Sequence, residues 1–193
     1  MSNKGHTTPK IESARLALPP IVLSLLLFFL PGCDHNVRRS GHEAESFQRK
    51  ADEFIDNGAE FLGDRIVNSK ADVISKLGTP LKVTSKGVRN IYSEVMDTVY
   101  ELFYEGLYLE IYEVTLDNRS FVYHIVVTSK KYKSKWDLGV GATKEDLRAI
   151  LGKPDQSDIH SWSYVALYGH LDSVRFYFEK DTVRKIEWSY VVD

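Results

Sequence analysis

The sequence predicts an α+β fold: two tandem units, each a short capped helix followed by a three-stranded antiparallel meander, preceded by an N-terminal helix. Three observations predict it. The stretch Ser69 to Pro80 recurs as Thr143 to Pro154, an offset of 74 residues without a gap. Each copy is followed by runs in which apolar and polar residues alternate, the signature of half-buried strands. Ahead of the first copy, Ala44, Phe47, Ala51, Phe54 and Ile55 recur at helical spacing. The composition agrees: 43% of the 193 residues are hydrophobic and 27% charged, which is ordinary for a globular chain. A net charge of -2 gives no electrostatic footprint for nucleic acid, and a single cysteine excludes an internal disulfide or a multi-cysteine zinc site.

The chain begins with Lys4, Lys10 and Arg15, then an uncharged, mostly apolar run from Leu16 to Leu30. Fifteen residues containing Pro19 and Pro20 fall short of the roughly 20 needed to span a bilayer. A positive flank, short apolar core and small-residue end have the layout of a secretory signal. The run closes on Leu30-Pro31-Gly32-Cys33, which resembles the lipobox of bacterial lipoproteins. That resemblance implies cleavage before Cys33 and covalent lipid on it; no other cofactor is expected. A plain signal peptide with a chance cysteine, or an uncleaved anchor, is the alternative. Asp34 resembles the enterobacterial signal for retention at the inner membrane. The expected location is therefore a Gram-negative membrane, facing the periplasm, with the inner membrane favoured over the outer. Lys4, Lys10, Arg15 and Glu12 leave with residues 1–32, so 22 basic and 26 acidic side chains remain, net -4.

In the remaining chain, residues 33–41 read as the lipidated cysteine and a tether, and 42–66 as the N-terminal helical segment. Residues 67–128 form the first repeat, 129–140 a connector carrying Lys130, Lys131, Lys133 and Lys135, and 141–193 the second repeat. Within each repeat, Ser69 or Thr143 caps a helix, and Asp72 or Asp146 three residues on closes the capping box. Gly78 and Gly152 suit a positive-φ helix stop, and Pro80 and Pro154 prevent the helix from resuming. The expected strands are 99–104, 107–114 and 121–128, then 162–168, 174–179 and 183–190, separated by turn signals such as Glu105-Gly106 and Lys180-Asp181. The lysine-rich connector reads as a solvated linker; an acidic partner or anionic lipid headgroups are the alternative.

A capped helix ending Leu-Gly-x-Pro, followed by a meander and then repeated, resembles two related groups. One is the SmpA/OmlA type of small lipoprotein, an accessory of outer-membrane β-barrel assembly; the other is the β-lactamase-inhibitory-protein fold, which has two such units in tandem. The resemblance covers residues 66–190 and implies the tandem architecture. The assembly lipoprotein has one unit, so its role and residues are not carried over.

Alternation sorts side chains onto two faces. Leu107, Leu109, Ile111, Val174, Phe176 and Phe178 belong to the core, joined by Ile186 and Trp188 if the last hairpin has an odd-length loop. The opposite face then carries Tyr108, Glu110, Tyr112, His124, Arg175, Tyr177, Lys185 and Glu187, with Arg175 opposite Glu187 and Tyr177 opposite Lys185. Aromatics and Arg combine contact area with a polar handle, so this face is a candidate surface for an envelope protein partner. The plain alternative is that tyrosine is a good strand former with one wet side.

No Ser-His-Asp, GxSxG, Walker, HExxH or dinucleotide-binding motif is present. His35, His42, His160 and His170 are scattered, so no metal site is expected. The expected function is a non-enzymatic protein-interaction module, either an envelope-assembly accessory or an inhibitor or immunity lipoprotein. An envelope enzyme, or a lipoprotein binding a small ligand or the cell wall, is the alternative.

Overall fold

The structure, a computed structural model, describes residues 34–63, 69–167 and 171–191. The expected signal segment, Cys33, Ile66 and His170 lie outside them. Among the described residues, three α-helices, α1 (Asp34–Asn57), α2 (Lys70–Leu77) and α3 (Lys144–Leu151), accompany eight strands. The strands are β1 (Lys82–Arg89), β2 (Met96–Tyr104), β3 (Leu107–Val114), β4 (Arg119–Val127), β5 (Gln156–Ser157), β6 (Ser161–Val165), β7 (Ser173–Glu179) and β8 (Thr182–Ser189). They form one antiparallel sheet in the order β1-β2-β3-β4-β8-β7-β6-β5.

This overturns the expectation of two helix-plus-three-strand units. Each short helix is followed by four strands, and the two meanders merge into one sheet. The merger occurs where the last strand of each pairs, His124–Val127 of β4 against Ser189–Ile186 of β8. The physical gain is the removal of two open edges, whose unpaired backbone groups invite foreign pairing. Asp34–Asp193 is accordingly one compact unit.

The short helices follow their sequence signals. The Ser69 hydroxyl accepts from Asp72 N–H at 3.2 Å while Asp72 accepts from Ser69 N–H at 3.1 Å; Thr143 and Asp146 repeat this at 3.1 and 2.8 Å. Gly78 (φ 83°, ψ -174°) and Gly152 (φ 77°, ψ -153°) end them. The φ is positive as expected, but the ψ is extended, a region open to glycine almost alone.

α1 starts at Asp34, not at His42, so residues 34–41 continue the helix instead of forming a tether. No proline interrupts them, and Gly41, the poorest helix former among them, costs only about 1 kcal/mol relative to Ala. Ala51, Phe54 and Ile55 are buried against the second half of the sheet. The Phe54 ring lies 5.8 Å from Trp188 and 5.6 Å from Phe176. The Trp188 indole N–H donates to Phe54 C=O at 3.4 Å, and the Tyr190 hydroxyl donates to Ile55 C=O at 2.9 Å. The Tyr190 bond satisfies a carbonyl of the last α1 turn, where the helix offers no partner of its own, while Phe54 C=O also accepts from Gly58 N–H at 2.8 Å.

The connector is packed, not a solvated linker. Tyr132 and Leu138 are buried, and Tyr132 lies 5.2 Å from Phe61. Lys135 pairs with Glu53 at 2.6 Å, and its backbone N–H bonds Gly58 C=O at 2.9 Å. The buried aromatic and apolar residues between the lysines, together with Lys135, fix where this segment lies. Among the described residues, the helices and the connector cover one face of the sheet and leave the other open.

Candidate functional site

Which residues reach the open face is decided by two β-bulges. On β3 and β4, Glu110 opposes His124 but Ile111 opposes Val122, so Tyr123 is the extra residue. On β7 and β8, Tyr177 opposes Lys185 but Phe178 opposes Val183, so Arg184 is extra. The turns themselves are even, Lys180-Asp181 and residues 115–118, so the bulges supply the change of parity expected of an odd loop. Core residues stay inside on both sides of each bulge: Val122 and Ile125, Val183 and Ile186 are fully buried.

All eight residues singled out from the sequence stand on the open face. Arg175 opposes Glu187, Tyr177 opposes Lys185, and Glu110 opposes His124. Most of them join one hydrogen-bonded network across the seam between β4 and β8. The Glu110 carboxylate accepts from the Tyr108 hydroxyl at 2.6 Å and from the Tyr123 hydroxyl. His124 lies between two carboxylates, Nδ1 3.3 Å from Glu110 and Nε2 3.2 Å from Glu187. Glu187 also accepts from the Tyr177 hydroxyl at 2.9 Å and the Lys185 ammonium at 3.1 Å. The same ammonium sits 3.5 Å from the Tyr177 ring centroid, a cation–π contact. One imidazole thus links a carboxylate of the first meander to a carboxylate of the second.

Tyr112 and Arg175 stand apart from this network. The Tyr112 hydroxyl donates to Asp97 at 2.7 Å, and its ring stacks on Phe121 at 5.4 Å. Asp97 also accepts from Asn90 at 2.7 Å and from Thr115 N–H at 2.9 Å, tying the β1–β2 and β3–β4 turns together. Arg175 is exposed and donates to Ser163 at 2.8 Å. Glu101 accepts from Thr84 at 2.7 Å and pairs with Lys86 at 3.1 Å.

The charge states follow from these bonds. Burial pushes the Glu110 carboxyl up, but hydrogen bonds from Tyr108, Tyr123 and His124 outweigh it and hold the carboxyl below its ordinary 4.5. Burial likewise opposes ionisation of Glu187, and Lys185, Tyr177 and His124 outweigh it. Burial and then the glutamate they bond push Tyr108 and Tyr123 well up. Burial and Asp97 push Tyr112 up to about 12. The face therefore holds ionised carboxylates saturated by neutral phenols. Carboxylates held below their ordinary range are weaker proton acceptors than free ones.

Tyr123 and Asp97 were not singled out from the sequence. Strict alternation assigns Tyr123 to the core side, and only the bulge turns it outward. Asp97 needed the β1–β2 register. Glu101, which the sequence offers as a carboxylate beside Glu110 and Glu113 but divides between faces by alternation, opposes Glu110 directly. Among the described residues no cluster of three or more His, Cys, Asp or Glu is placed to hold a metal, and no helix is long and apolar enough to cross a membrane. Comparison with known proteins finds no matching family model, no matching curated protein and no matching solved structure.

Proposed function

We propose that this chain is a lipid-anchored protein of the Gram-negative envelope, facing the periplasm, whose open sheet face binds another envelope protein without catalysing a reaction. The anchoring part rests on Leu30-Pro31-Gly32-Cys33, and Asp34 supports the inner membrane. The binding part rests on one observation. The helix-free face carries aromatic rings held in place by hydrogen bonds, with Arg175 exposed beside them. Rings already fixed lose little conformational freedom on association, which is the advantage of a preorganised surface.

Crosslinking of the native protein, followed by mass spectrometry, tests the binding part through a variant series. Arg175→Ala and Tyr177→Ala remove face side chains that no core residue needs. If they sit at an interface centre, each costs about 2 kcal/mol of binding, roughly a thirtyfold loss. The expected outcome is one dominant crosslinked partner whose recovery falls in both variants while melting changes little. Unchanged recovery in both variants refutes the binding face. For the anchor, Cys33→Ser should release the protein from membranes or block its maturation; normal processing and unchanged fractionation refute it.

A further inference from the structure

We propose that the free edge of β1 is a strand-addition site for an extended, acidic segment of a partner protein. The inference does not rest on the open-face reading, because the residues involved lie at the end of the sheet.

The two ends of the sheet differ. β5 is two residues long, whereas β1 is eight residues long and pairs along its whole length with β2 without a bulge. Among the described residues nothing pairs on its other side. Such a strand leaves alternate backbone N–H and C=O groups pointing outward, and an extended peptide can add to them as a further strand. The side chains on β1 alternate between the two faces of the sheet. Val83, Ser85, Gly87 and Arg89 lie on the side of Leu102, and Lys82, Thr84, Lys86 and Val88 on the side of Glu101.

Two features say what kind of segment fits. The first is charge. Residues 73–93 contain Lys76, Lys82, Lys86 and Arg89 and no acidic residue, in a chain whose overall charge is negative. Lys86 is half exposed and pairs with Glu101 at 3.1 Å. Such an exposed pair is weak and free to exchange partners. The second is apolar exposure. Leu81 (78% exposed), Val83, Ile91 (83%), Tyr92 and Met96 are exposed on β1, its flanks and the strand beside it. Leu81 stands at one end of β1, Ile91, Tyr92 and Met96 at the other, and Val83 between, so an extended segment laid along the edge would cover apolar surface at both ends. Basic and apolar side chains along one edge match an extended segment alternating acidic and apolar residues.

A second copy of the chain is a poor occupant. Antiparallel pairing of two β1 strands would bring two copies of Lys82, Lys86 and Arg89 along one seam, and the register that opposes Lys82 to Lys86 sets like charges directly against each other twice. Lysines on edge strands commonly oppose such self-pairing. The same charges that discourage a like partner favour an acidic one, which is how specificity arises from repulsion and attraction together.

The experiment uses the full-length chain, solubilised in detergent, with two synthetic nonapeptides, one alternating Glu with Val and one alternating Lys with Val. Binding is read by calorimetry, and the location by hydrogen exchange of the amides of residues 82–89. The expected result is binding of the acidic peptide, added protection of 82–89, and weakening as salt rises. In Lys82→Glu/Lys86→Glu/Arg89→Glu the preference should reverse in favour of the basic peptide, by roughly tenfold or more. If that variant fails to fold, Lys82→Gln/Lys86→Gln/Arg89→Gln should fold and lose the preference. Equal affinity for both peptides, or binding without protection of 82–89, overturns the proposal. So does concentration-dependent self-association of the wild-type chain that protects 82–89. Tyr177→Ala should leave peptide binding unchanged, which separates this site from the open face.

Discussion

Gly78 and Gly152 share a helix-ending conformation but not surroundings, so one substitution at both sites separates backbone strain from steric conflict. Both have φ near 80° with extended ψ. An alanine at either site is strained by about 1–3 kcal/mol, because this region is nearly closed to residues with a Cβ. At Gly78 a Cβ meets nothing within 4 Å, so strain is the whole cost. At Gly152 a Cβ would lie 2.8 Å from both Cβ and Cγ of Phe47 on α1. Phe47 Cβ is fixed to the helix backbone, so α1 itself must shift, adding about 1–3 kcal/mol of overpacking. Gly78→Ala should therefore lose about 1–3 kcal/mol and Gly152→Ala about 2–6 kcal/mol. In a chain of this size 1 kcal/mol moves the melting temperature by about 2–4 °C. Urea titration and thermal melting of both variants provide the assay. Equal losses would refute the contact between α1 and the end of α3. No loss at either site would refute the positive-φ assignment and with it the shared helix ending.

The Glu110 and Glu187 carboxyls are held below their ordinary 4.5, so the stability they contribute is fully present above that value and is lost as pH falls through their folded values. Glu187→Gln should make stability less dependent on pH below 4.5, measured by melting from pH 7 downward; an unchanged acid limb would show that the network is not coupled to folding. Ser69→Ala and Thr143→Ala each remove a capping box and should cost about 1 kcal/mol, additively because the two helices are separate, as checked by denaturant midpoints.

Local signals were legible in the sequence, and the long-range arrangement was not. Ser69, Asp72 and Gly78, with Thr143, Asp146 and Gly152, act over a single turn of chain, so their residue types alone announce both short helices. The strands β3 and β7 alternate clearly because one face is buried and the other wet, and β8 keeps that alternation beyond its bulge. β1 escaped notice for the opposite reason. Nearly all of it is exposed, so Lys82, Ser85, Lys86 and Gly87 read as loop. The pairing of β4 with β8 joins residues about sixty positions apart, and no local pattern records it. Six of the eight anticipated face residues turned out to share one network. Tyr123, which bonds the same Glu110, was hidden because a bulge breaks the parity on which alternation depends.

The unlike ends of the sheet bear on how this chain behaves in a crowded compartment. Endless stacking of sheets needs two edges on every molecule, one to receive a strand and one to offer it. Here one end offers only the two residues of β5, too few to template a neighbour. A strand added at β1 would therefore meet no matching site at the far end. The molecule can act as a terminus but not as a link, and that geometry permits an open edge without the fibre growth such edges otherwise invite.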